Sequence, residues 1–115
     1  MEIKIAVKSL AALAQETRLS IFRILVQAGE AGVPVGQIAK ALSIPNATLS
    51  FHLKELTNAG LITARQESRF IFYAANFPVM NELLGFLTEN CCAGTPCGSV
   101  TVCCDEEFPL PVPLA

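Results

Sequence analysis

Five cysteines, Cys91, Cys92, Cys97, Cys103 and Cys104, are crowded into the segment ENCCAGTPCGSVTVCC, and the first 90 residues of the chain contain none. Thiolates are soft ligands and nucleophiles, so such a cluster can capture a thiophilic metal or metalloid, or undergo redox chemistry. An odd number of cysteines confined to one end does not fit the disulfide framework of a secreted miniprotein. Adjacent residues such as Cys91 and Cys92 have Cα atoms about 3.8 Å apart, short of the roughly 4.4 Å lower limit of ordinary disulfides, which makes them a poor redox pair. Disulfides between non-adjacent cysteines remain open. A structural zinc site ordinarily uses two separated CxxC-type knuckles, a pair of motifs that this segment lacks.

The elements that carry the cluster come before it in the chain. A length of 115 residues with 52% hydrophobic content suits one domain with one modest core and leaves little room for a deep catalytic cleft. No stretch approaches the roughly 18 apolar residues of a membrane helix, and the N-terminus MEIKIAVKSL lacks a signal-peptide pattern, so a cytoplasmic location away from the membrane is expected. The net charge of −2 is unevenly spread: all 8 Lys and Arg lie within residues 1–69 beside five Glu, giving that stretch about +3, and residues 82–115 carry five acids and no base. A weakly basic body can meet phosphates locally.

Val7, Leu10, Ala11 and Ala14 share one helical face, and no glycine or proline interrupts residues 1–28, so one or two helices open the chain, with Val7, Leu10, Ala11 and Ala14 as the apolar face. Between Glu16 and Ala28 the apolar positions cover most of the helix circumference, which predicts a central core helix ending at Gly29 or Gly32. PVGQIAKAL repeats the spacing over a short third helix with Pro34 in its first turn. SIPN breaks it, and a fourth helix follows over about 46–58, capped by Asn46 or Ser43. LITARQESRFIFYAA reads as two strands joined by a turn at Gln66-Glu67-Ser68, and Asn76-Phe77-Pro78 opens a last helix with Met80, Leu83, Leu84 and Leu87 as a stripe. The final FPLPVPLA cannot sustain a helix and favours an extended, polyproline-like tail.

A short helix, a tight turn and a second helix form the supersecondary unit that enters the major groove of DNA. With Leu49, Leu53 and Leu56 directed inward, Ala47, Phe51 and Lys54 point outward, Thr48 and Ser50 sit on the shoulders and His52 lies near the core boundary. The candidate DNA-contacting residues are Asn46, Thr48, Ser50, Phe51, His52 and Lys54, with Arg65 and Arg69 in the wing. Phe51 either meets a thymine methyl group or packs on a neighbouring helix, and His52 either contacts DNA or is a hydrogen-bonded structural histidine.

ETRLSIFRIL, PVGQIAKALSIPNATLSFHLKELTNAGLI and SRFIFY together resemble the ArsR/SmtB family of metal-sensing repressors over about residues 5–90. The resemblance implies a mainly α winged helix-turn-helix fold, ααααββα, acting as a homodimer that binds operator DNA without metal and leaves it when metal binds. Many arsenic-sensing members carry a Cys-Val-Cys pair at the start of the helix before the recognition helix, whereas PVGQIAKAL has no cysteine. The soft-ion site is therefore expected in the C-terminal cluster, similar to members whose arsenic site lies at the end of the last helix.

As(III) and Sb(III) are satisfied by three thiolates, so Cys91, Cys92 and Cys97 are the expected ligands, with Cys103 and Cys104 as secondary candidates. Cd(II), Zn(II) or thiol oxidation are the alternative triggers. The expected division is a DNA-binding and dimerisation domain over 1–90 and a cysteine-rich, metalloid-binding tail over 91–115 ending in the Pro-rich segment. No organic cofactor is expected. A thiol metal carrier would not need the helix-turn-helix, and an arsenate reductase would need its nucleophilic cysteine in an anion-binding loop. Here the cysteines follow a helix C-terminus, whose dipole disfavours both anions and thiolates.

Overall fold

The computed structural model describes residues 1–94. Its elements run α1 (Ile3–Leu13), α2 (Glu16–Ala28), β1 (Val33–Pro34), α3 (Val35–Leu42), α4 (Asn46–Asn58), β2 (Ile62–Glu67), β3 (Phe70–Ala75) and α5 (Phe77–Leu87), closing in a 3-10 turn at Cys91–Gly94. This is the expected winged helix-turn-helix order with one strand added. None of the described helices is long and apolar enough to cross a membrane.

The opening helical run divides at Ala14–Gln15, where Gln15 takes an extended backbone and its side chain accepts a 2.9 Å hydrogen bond from Arg18 N. That cap satisfies one of the orphan N–H groups at the start of α2. Ile21, Phe22 and Leu25 of α2 are buried, packed with Ile38 of α3, Leu49, Leu53 and Leu56 of α4, and Leu61, Ile62 and Ala75 around the wing. Burial of that many side chains, at roughly 1.5–3 kcal/mol each, is what holds the short elements together.

Ala6 and Ser9 are buried, whereas Val7, Leu10, Ala11 and Ala14 are exposed, so the apolar stripe read from the sequence faces outward. Because α1 is apolar almost all round, periodicity alone does not say which side packs inward. Close approach to neighbouring helices selects the small side chains of Ala6 and Ser9 instead.

β1 escapes sequence reading because it is only two residues long, and it exists by pairing antiparallel with β3 in register Val33↔Tyr73 and Pro34↔Phe72. The sheet order is β1-β3-β2, with all pairs antiparallel. Gly32, at φ +83°, lets the chain enter β1, and a Cβ there would stand 2.7 Å from the Tyr73 carbonyl oxygen. Gly32→Ala is expected to lower unfolding free energy by about 1–3 kcal/mol in urea titration, since it imposes a left-handed backbone on a residue with a side chain. Gly36, whose added Cβ meets nothing within 4 Å in α3, is the control, and alanine there is expected to stabilise by up to about 1 kcal/mol.

Pro34 stands at the N-cap of α3 rather than in its first turn, and Ser43 closes that helix in left-handed conformation, with its N–H directed to the Ala39 and Lys40 carbonyls. Pro45, not Asn46 or Ser43, occupies the N-cap of α4, with no side-chain cap. Proline's fixed φ suits the turn into the helix, and the side chain of Asn46, now the first helical residue, is left exposed. In the wing, Gln66 and Glu67 belong to β2, and the two-residue turn is Ser68-Arg69, with Ser68 at φ 59°. Asn76 then anchors α5: its N–H donates to the Leu61 carbonyl at 2.8 Å, its Nδ2 to the Gly60 carbonyl at 3.1 Å, and its Oδ1 accepts from Val79 N at 3.4 Å.

Candidate nucleic-acid interface and thiol pair

α4 is held by Leu49, Leu53 and Leu56, all but fully buried, so the opposite face of the helix is presented to solvent. That face carries Asn46, Thr48, Ser50, Phe51 and Lys54, all exposed. Short hydroxyl and amide groups beside one cation form the kind of surface that hydrogen-bonds base edges and phosphates. Phe51 is 56% exposed and touches the His52 ring edge-on, with centroids 5.4 Å apart. A phenyl ring left that open on a helix surface is an apolar contact in want of a partner.

His52 stands apart from this set. It is buried, and its Nδ1 lies 3.3 Å from Arg18 Nη1, while Arg18 Nε donates to the Ala12 carbonyl at 2.7 Å. Arg18 was not among the residues singled out from the sequence. The signal was there: Arg18 precedes Ile21 by three and Leu25 by seven positions, so a cation sits on the core-facing side of α2.

The two wing arginines differ in their surroundings. Arg65 projects from β2 with Nε donating to Glu67 Oε2 at 2.9 Å, Nη2 donating to the Ala31 carbonyl at 3.0 Å, and its guanidinium 5.0 Å above the Phe72 ring. It ties the wing to the loop before β1 and keeps only part of its donor fork for another partner. Arg69 occupies the exposed turn and has no ion-pair partner among the described residues.

The second grouping follows α5. Cys91 and Cys92 are exposed, with Sγ atoms 3.6 Å apart. Sulfur–metal bonds are about 2.3 Å long, so one soft ion can be bonded to both sulfurs at that separation. Asn90, Cys92 and Ala93 all have left-handed backbone, at φ 57°, 54° and 56°. Left-handed backbone costs a residue with a Cβ roughly 1–2 kcal/mol, a cost that asparagine largely escapes. Cys97, Cys103 and Cys104 lie outside the described residues. Among the described residues no three His, Cys, Asp or Glu side chains come together as a metal site.

Beside α5 lies an apolar hollow of about 260 Å³ walled by Leu13, Phe22, Val26, Met80, Leu83 and Leu84. Of the α5 stripe, Leu83 is already buried within the chain and Met80 half-buried, leaving Leu84 and Leu87 exposed. With Ile3, Val7 and Leu10 of α1 also exposed, α1 and α5 together present an unpartnered apolar surface.

Comparison with known proteins matches residues 13–65 to a helix-turn-helix domain family. A Halobacterium salinarum protein that bears the name arsenical resistance operon repressor ArsR is 41% identical over 64 residues, covering 56% of this chain and 49% of its own length. The chain thus spans about half the length of that relative. The transcriptional activator HlyU of Vibrio cholerae is 30% identical over 87 residues, or 76% of this chain and 78% of HlyU. The solved HlyU structure superposes with a TM-score of 0.60 at 34% identity, covering 76% of this chain and 97% of that one. A homodimeric winged helix-turn-helix DNA-binding domain from Mycobacterium bovis, described as a possible ArsR-family regulator, matches with a TM-score of 0.63 at 28% identity, over 75% of this chain and 77% of its own.

Proposed function

Because the chain belongs to the ArsR family of winged helix-turn-helix transcriptional regulators, we propose that it is a homodimeric repressor whose operator grip is released by As(III) or Sb(III). The observation that carries the reading is the exposed Cys91–Cys92 sulfur pair at the end of α5, the helix whose outer face is apolar and unpartnered. In this reading residues 1–90 bind DNA and dimerise, and residues 91–115 form the metalloid-binding tail. Cys91 and Cys92 supply two thiolates, and Cys97 the third, with Cys103 or Cys104 able to replace it. A trivalent metalloid would supply a soft centre that holds three sulfurs together.

DNA contact falls to Asn46, Thr48, Ser50, Phe51, His52 and Lys54 of α4, with Arg69 and the unused donors of Arg65 meeting backbone phosphate from the wing. Pairing two copies through α1 and α5 sets two such helices about 34 Å apart, one turn of DNA. Capture of the ion draws the tail into a closed loop at the end of α5, and strain passed to the pairing surface alters the spacing of the two reading helices. A coupling of about 1–3 kcal/mol is sufficient, since it changes affinity roughly 5- to 150-fold.

The full reduced chain, bound to a fluorescent duplex selected by that chain from a random-sequence pool, tests this by anisotropy. As(III) or Sb(III) is expected to weaken binding within that 5- to 150-fold range. Cd(II), Zn(II) and a thiol oxidant form separate arms, and release by one of these alone would assign the trigger to it instead. A duplex held equally tightly in all arms overturns the sensor reading.

A further inference from the structure

We infer that Arg18 fixes His52 in the Nε2–H tautomer, turning the recognition helix's buried histidine into a hydrogen-bond donor, through Nε2–H, for a DNA phosphate. The phosphate half of this inference rests on the DNA-binding reading above, whereas the tautomer half stands on the geometry alone.

A guanidinium has five N–H donors and no acceptor. At 3.3 Å from Arg18 Nη1, His52 Nδ1 has to be the acceptor, and in a neutral imidazole the proton then resides on Nε2. The guanidinium is not free to turn away from that contact. Its Nε is held by the Ala12 carbonyl at 2.7 Å, near the end of α1, and the Arg18 backbone N–H is held by Gln15 Oε1 at 2.9 Å. A proton on Nδ1 would set donor against donor and break a contact made from both sides of the α1–α2 junction.

The other ring nitrogen has no hydrogen-bond partner among the described residues. Ser9 Oγ is the one fully buried side-chain polar atom left unpaired among them, so His52 Nε2 is not sealed in the core. The 9% of its surface that His52 retains therefore includes Nε2, beside the exposed Phe51 and one helical turn from the exposed Thr48. A donor at the rim of a groove-reading helix, flanked by a hydroxyl one turn away, is placed where DNA backbone oxygens pass. Arg18 acts here as a positioning residue: its single guanidinium joins the end of α1 to α4 and decides which edge of the ring carries the proton.

The chain has one histidine, so nitrogen-15 NMR of the full labelled chain reads the tautomer without assignment. A free imidazole already favours Nε2–H over Nδ1–H. The wild type at neutral pH is therefore expected to show no detectable Nδ1–H form, Arg18→Met to relax toward the free-imidazole mixture, and Arg18→Lys, which still offers a donor, to restore the single form. Circular dichroism checks the fold of each variant, and an Nδ1–H population in the wild type as large as in free imidazole overturns the role of Arg18 even where Arg18→Met fails to fold. A dominant Nδ1–H form in the wild type overturns the tautomer. On the selected duplex, His52→Gln, whose amide N–H reaches the place of Nε2, is expected to bind more tightly than His52→Asn by roughly 2- to 13-fold, the worth of one hydrogen bond. Equal binding by the two folded variants overturns the phosphate contact. Failure of the wild type to bind any duplex would instead defeat the DNA-binding reading and leave the tautomer result standing.

Discussion

Leu87→Glu combined with Val7→Glu is expected to yield a folded chain that sediments as a monomer and binds the selected duplex about 10²- to 10⁴-fold more weakly than the wild type. Leu87 is 54% exposed and Val7 58% exposed, so neither carboxylate enters the core of a single chain. Their cost falls on association, where each charge would have to be desolvated against apolar neighbours. The loss is large because a second reading head tethered to the first binds at high effective concentration, and a monomer forfeits that advantage entirely. Sedimentation and anisotropy on the same preparation check it. A double variant that remains dimeric would move the pairing surface away from α1 and α5.

That prediction depends on a side of α1 that periodicity does not identify. Val7, Leu10, Ala11 and Ala14 have helical spacing, and an isolated amphipathic helix turns such a stripe inward. Here the inward side is Ala6 and Ser9, because α1 has two apolar faces and only the narrower one fits against its own chain. Where one pattern dominates, the bounds are secure: α2 and α4 span Glu16–Ala28 and Asn46–Asn58 as expected, and Leu49, Leu53 and Leu56 leave α4 no alternative face. Even so, α2 is less enclosed than its sequence suggests, burying Ile21, Phe22 and Leu25 while Leu19 stays exposed. Pairing-dependent features were invisible. The two residues of β1 have no strand signature apart from Tyr73 and Phe72 opposite them, and Arg18 gains its role from a histidine 34 positions away.

The exposed surface of α4 was legible for the same reason as its core. Once three leucines fix the rotation of a helix, the opposite residues follow from 3.6 residues per turn. His52 lies at the border of the two sets, where spacing does not decide between contact and burial, and the Arg18 guanidinium supplies what spacing lacks. Arg65 shows the same limit in the wing: its charge is evident from sequence, but its engagement by Glu67, Ala31 and Phe72 is a matter of strand register and loop proximity.

Replacing Cys91 and Cys92 together by serine is expected to abolish release by As(III), reducing the roughly 5- to 150-fold weakening to no measurable change while duplex affinity without metalloid stays as in the wild type. The two sulfurs are exposed, so hydroxyls in their place remove soft donors and disturb no core packing. Serine oxygen is a hard, protonated ligand at neutral pH and does not replace a thiolate on a soft centre. Cys103→Ser with Cys104→Ser is the companion variant. Retention of release by that pair and its loss in the first would assign the trigger to the end of α5. Loss in both would require the site to draw thiols from each end of the cluster. Should the Cys91 and Cys92 double variant still leave the duplex on As(III) addition, the sulfur pair 3.6 Å apart is not the trigger, and coupling through the end of α5 loses its support.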